Sequence, residues 1–126
     1  MKPIWLCLIL LGIIALLIII PHQYIKTSVE KMNTHLDLLD KEIQTDNWAK
    51  AEKLFNNATK EWDKCSPKFE MVIEHEEVDG VERTLRQLRF YVKEKESAEA
   101  RAILGELDFL VNHLKTSDRL SLENIF

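Results

Sequence analysis

The chain reads as an all-α protein: one N-terminal transmembrane helix followed by a four-helix antiparallel domain made of two αα-hairpins. Three observations predict this. Ile4 to Ile20 is an unbroken run of seventeen apolar residues. Beyond it, apolar residues recur at spacings of three and four, the mark of amphipathic helices. Only Pro67, Gly80 and Gly105 punctuate the chain after Pro21, too few breakers for a turn-rich β fold.

At ~1.5 Å per residue the apolar run spans roughly 25 Å as a helix, the short end of what crosses a bilayer. Only a helix does so alone, because lipid offers no partners for backbone groups. The run is longer than the ~7–15 residues of a cleaved signal core. Ile18-Ile19-Ile20-Pro21-His22-Gln23-Tyr24 has no small residues for a cleavage site. Residues 1–21 are therefore expected to be an uncleaved signal-anchor, with the bilayer contacted through residues 4–20. Lys2 favours a cytoplasmic N-terminus, so residues 22–126 are expected to be exported. His22, Tyr24 and Lys26 would then lie at the headgroup level.

In the first hairpin, 27–64, Val29, Met32, Leu36, Leu39 and Ile43 draw one stripe on a helix from about Thr27 to Gln44. Thr45-Asp46-Asn47 supplies turn and capping oxygens. The second helix runs from Trp48 to about Lys64. Ser66-Pro67 marks the next boundary, with Pro67 at a first helical position. The second hairpin, 67–118, opens with a long helix to about Lys93, striped by Met71, Val78, Val81, Leu85, Leu88 and Val92. Lys95-Glu96-Ser97 turns, with Ser97 as the candidate cap. The fourth helix presents Ala100, Ile103 or Leu104, Leu107, Leu110 or Val111, and Leu114. Residues 119–126 form a short tail.

A shift of forty-nine residues superimposes the two hairpins without gaps. Val29 meets Val78, Leu36 meets Leu85, Ile43 meets Val92, Ala51 meets Ala100 and Phe55 meets Leu104. Forty-nine is seven heptads, so any two heptad helices would match there. The turns and the alanines coincide as well, which favours a duplicated hairpin.

Charge limits the partners. Without Lys2, sixteen basic residues face twenty-one acidic ones, a balance of about −5, which argues against nucleic acid. The third helix is polarised, acidic from Glu70 to Glu82 and basic from Arg83 to Lys95. This complements the helix dipole; the alternative is a bipolar docking surface. Gly80 sits where the sign changes, suggesting a close backbone crossing or a joint. Cys7 lies in the apolar run and Cys65 in the domain, so no internal disulfide is expected.

One cluster offers chemistry: Glu74-His75-Glu76-Glu77-Val78-Asp79. His75 and Asp79 share a helix face, with Glu76 three residues from Asp79. Position 79 is Asp, so there is no His-Glu-x-x-His; position 72 is Val, so no Glu-x-x-His reaches His75. The bland expectation is a partly buried His75 held by a carboxylate or touching Trp62. No phosphate-cradling glycine loop and no Gly-x-Ser-x-Gly elbow occurs. No catalytic residue, metal or cofactor is expected. Trp48 and Trp62, fourteen residues apart, face nearly the same way on a helix and are expected to pack inside, contacting the first and third helices.

These markers also carry a resemblance. Asp46-Asn47-Trp48 with Ala51, then Trp62, Ile73, His75, Glu77, Asp79 and Glu82, and the closing Asn124-Ile125-Phe126 resemble an uncharacterised bacterial membrane-anchored helical family, domain of unknown function 4363. The similarity covers almost the whole chain; Cys65 and Gly80 are local departures. The resemblance implies a single-pass membrane location in spore-forming, Gram-positive-type bacteria, and no activity.

The expected role is a non-enzymatic protein-interaction module of the bacterial cell envelope, because paired helical hairpins commonly present surfaces to partners. The alternatives are a sensor-type domain binding a small ligand or metal near His75, and an envelope or septal scaffold. That scaffold would homodimerise through the stripe from Val29 to Ile43.

Overall fold

A computed structural model describes residues 2–117; the expected tail 119–126 and Asn124-Ile125-Phe126 lie outside the described residues. Four α-helices follow in order: α1 (Lys2–Gln44), α2 (Trp48–Phe69), α3 (His75–Lys93) and α4 (Ser97–His113). A 3-10 turn, Leu114–Thr116, closes the described chain. Short connections make successive helices antiparallel. α1 packs on α2 and α4, and α3 packs on α4 and, most sparsely, on α2. The result is a closed four-helix bundle of two αα-hairpins, as the apolar periodicity predicts.

The anchor and the first domain helix are one continuous helix of 43 residues, where two were expected around residue 21. Pro21 lies inside it. A proline lacks the N–H that would bond the Leu17 carbonyl. Yet His22-Gln23-Tyr24-Ile25-Lys26 offers no turn residues, and Ile25 is already buried in the bundle. The change at residues 21–22 is one of surface, not of backbone. The helix is long and apolar enough near its N-terminus to cross a membrane.

Val29, Met32, Leu36, Leu39 and Ile43 are all buried, against Ala51, Phe55, Ala58, Trp62, Cys65 and Phe69 of α2. The α1 stripe is consumed by its own bundle, so dimerisation through Val29–Ile43 would require opening the fold. Forty-nine residues on, Val78, Val81, Leu85, Leu88 and Val92, then Ala100, Leu104, Leu107, Val111 and Leu114, are buried at the equivalent positions. Ala51 and Ala100 are both fully buried in the first turns after each hairpin's bend.

The expected boundary at Ser66-Pro67 moves. α2 runs through Pro67 to Phe69, and α3 begins at His75. Pro67 forfeits one backbone bond, to Asp63, in the last turn. Phe69 holds that turn, edge-on to Trp62 at 5.6 Å and to Tyr24 at 6.2 Å. Backbone bonds from Glu70 to Ser66 and from Ile73 to Phe69 carry the chain round. Met71 is therefore not part of the α3 stripe but stands in the turn, 80% exposed, while Ile73 is buried.

The caps also differ. Asn47 and Glu96 occupy the N-cap positions of α2 and α4 without side-chain cap bonds, and Ser97 is the first residue of α4. The turns close through their backbones instead, with Asp46 and Lys95 left-handed. Gly80 marks no close crossing: a Cβ there would meet only the Arg83 guanidinium, at 3.9 Å.

Candidate functional site

The sparsest seam of the bundle, between α2 and α3, opens as a groove. Long polar and charged side chains line it. Thr59, Trp62 and Asp63 come from α2, and Glu82, Leu85, Arg86 and Arg89 from α3, around a cavity of about 410 Å³. Glu82 belongs to the acidic half of α3 and the two arginines to its basic half. The polarised helix therefore presents both signs to one groove as well as complementing its dipole. A second hollow of about 160 Å³ continues the seam past Arg89, lined by Glu52, Phe55 and Lys93 among others. Arg89 holds its guanidinium 5.6 Å from the Phe55 ring, a cation–π placement.

Trp62 forms the apolar floor. Its side chain is 1% exposed, and its indole Nε1 is buried without a hydrogen-bond partner among the described residues. A buried indole N–H usually finds a partner; this one is enclosed beneath the groove without one among the described residues.

The five residues singled out from sequence do not converge. Trp62 is buried as expected. Trp48 is only half-buried, packed against the rim of the core, because the first residue of α2 sits at the end of the bundle with fewer neighbours. His75 opens α3 with its side chain 73% exposed, 3.5 Å from Asp79 through Nε2. The carboxylate contact is as expected; the burial is not, since the turn through Ile73 swings His75 outward. Glu76 is exposed. Among the described residues no three His, Cys, Asp or Glu side chains are placed to hold a metal ion.

Two features escaped the sequence. Asn33 of α1 and Asn112 of α4 exchange side-chain hydrogen bonds at 2.9 and 3.2 Å. An amide is both donor and acceptor, so this reciprocal pair favours one register of α4 on α1. His113 of α4 lies 3.6 Å from Glu77 of α3, whose other oxygen is buried without a hydrogen-bond partner among the described residues. Nothing in residue spacing marks contacts between distant helices. Cys65, the only domain cysteine, is buried beside Trp62. Desolvation, reinforced by Glu61, pushes its thiol from 9.0 up to about 12, which leaves no thiolate for nucleophilic chemistry near neutral pH.

A family model described as Domain of unknown function (DUF4363) matches residues 19–125. No curated protein and no solved structure matches the chain.

Proposed function

The chain belongs to the DUF4363 family, and on that premise we propose that it is a single-pass membrane-anchored, non-enzymatic interaction module of the bacterial cell envelope. The observation that carries this reading is the division of α1. Its first half exposes all but Ile18 of the run from Ile4 to Ile20, and its second half is the buried spine of the bundle. An apolar surface of this extent is not left in water, and a bilayer covers it. Lys2 before the run favours retention of the N-terminus in the cytoplasm and export of the bundle. The partner surface is the α2–α3 groove, with its apolar floor, its two arginines and its two carboxylates. Aromatic floors ringed by charge are the usual anatomy of protein interfaces.

Three experiments test the reading. After alkaline carbonate washing the intact chain should stay with the membranes, and a cysteine placed at exposed Asn57 should react with an impermeant reagent in whole cells. Photo-crosslinkers at Arg86 and Thr59 should then give one discrete adduct in native membranes, absent with crosslinkers at Lys53 or Asn57 and lost in the Arg86→Glu, Arg89→Glu variant. Indiscriminate adducts from all four positions would remove the groove as the partner surface.

A further inference from the structure

A second groove sits where the bundle meets the apolar run. Ile20, Pro21, Tyr24 and Ile25 of α1 form one wall, and Met71 and Val72 of the α2–α3 turn form the other. It encloses about 260 Å³, and Lys68 stands beside it with its ammonium 4.8 Å from the Tyr24 ring.

Its height relative to a bilayer is set by backbone. α1 passes from Ile20, 62% exposed, to Ile25, 1% exposed, with no linker. At ~1.5 Å per residue those two positions lie only about 7–8 Å apart along the axis. The bundle is therefore fixed to the end of the span, not tethered below it. The α2–α3 turn packs on Tyr24 through Phe69, which puts Met71 and Val72 at the depth where headgroups meet acyl chains. Tyr24 and Lys68 are the residue types that suit that depth, an amphipathic ring and a long stem with a charged head.

Resting on the membrane-anchored reading above, we propose that this groove and the Met71-Val72 turn form a second lipid-contacting element. It takes an acyl chain of a phospholipid from the leaflet nearest the bundle. The groove is continuous with the lipid-facing surface at Ile20, so an acyl chain reaches it without leaving the bilayer. Among the described residues outside the apolar run, Met71 is the most exposed large apolar side chain, and insertion removes it from water. Glu70 and Glu74 flank the turn, so the attraction is apolar and does not depend on anionic lipid. Lys68 meets the phosphate that every phospholipid carries. The consequence is mechanical: a bundle held at two points presents its α2–α3 groove at a defined angle to the membrane.

The test uses the full chain in phosphatidylcholine nanodiscs containing a small fraction of phosphatidylcholine with a diazirine near the middle of one acyl chain. After photolysis, adducts are mapped by mass spectrometry. The expected result is adducts in two places, within residues 4–20 and at residues 71–72. Met71→Glu should lower the second at least about tenfold and leave the first unchanged; the side chain is exposed, and an unaltered melting curve confirms the fold. Adducts within 4–20 but none at 71–72 would overturn this inference while the anchor stands. Loss of adducts from 4–20 as well would overturn the anchor itself. Adducts at 71–72 that appear only when phosphatidylglycerol is added would replace apolar insertion with charge attraction, and so also overturn it.

Discussion

Asp46 and Lys95, forty-nine residues apart, hold the same left-handed backbone conformation, with φ of 56° and 55°. Each is the pivot of a helix-ending turn. Asp46 N–H donates to Ile43 and Asn47 N–H to Glu42; Lys95 N–H donates to Val92 and Glu96 N–H to Tyr91. These are the paired bonds of a Schellman ending. The hairpins thus repeat in turn geometry as well as in buried positions, which heptad spacing alone does not require.

Glycine normally fills this pivot, because a Cβ in the left-handed region is strained. Lys95→Gly should therefore stabilise the protein by about 0.5–1 kcal/mol. Asp46→Gly should gain less, since Asp tolerates the conformation better. Thermal unfolding of the full chain in detergent measures both. A midpoint for Lys95→Gly below that of wild type would contradict the strain at this turn.

Gly80 offers a second gain. A Cβ there meets only ordinary contact, and the site is mid-helix. Gly80→Ala should add up to about 1 kcal/mol. Urea denaturation is the check. A loss of stability would contradict the open space around Gly80.

The two tryptophans should separate. Trp62→Ala removes a fully buried side chain and should cost about 3–5 kcal/mol. Trp48→Ala, at the half-buried rim, should cost about 1–2 kcal/mol. Equal costs in denaturant titrations would rule out the difference in burial.

Burial of Cys65 makes a pH-dependent prediction. Its thiol ionises near 9.0 when exposed and near 12 in the fold. Below pH 9 both states hold the proton and stability is unaffected. As pH rises from 9 towards 12 the unfolded chain loses its proton first, so stability falls. Cys65→Ala should start less stable but show a shallower decline over that window. At pH 8 native Cys65 should resist iodoacetamide and react once urea is added; rapid alkylation of the folded protein would refute the burial.

His75 is exposed and, among the described residues, pairs with Asp79 of its own helix. His75→Ala should change stability by no more than about 0.5 kcal/mol, and zinc or manganese should leave the melting temperature where it was. A metal-dependent rise in wild type that disappears in His75→Ala would establish a site there.

Helix type, stripe and turn were legible in the residues because each depends on neighbours three or four positions away. The α1 stripe from Val29 to Ile43, the turn at Thr45-Asp46-Asn47 and the burial of Trp62 follow from such local periodicity. What tertiary structure decided is where local signals lost. Pro21 and Pro67 each forfeit one backbone bond, and each read as a boundary. Burial of Ile25 in one case, and of Phe69 against Trp62 and Tyr24 in the other, outweighs that single bond and carries the helix onward. The exit of Met71 and His75 to the surface follows from that shift. The α2–α3 groove, the Asn33–Asn112 exchange and the height of the Met71-Val72 turn beside Ile20 join residues far apart in sequence. No spacing rule encodes them, because helix rotation and register are set by how whole faces fill the shared core.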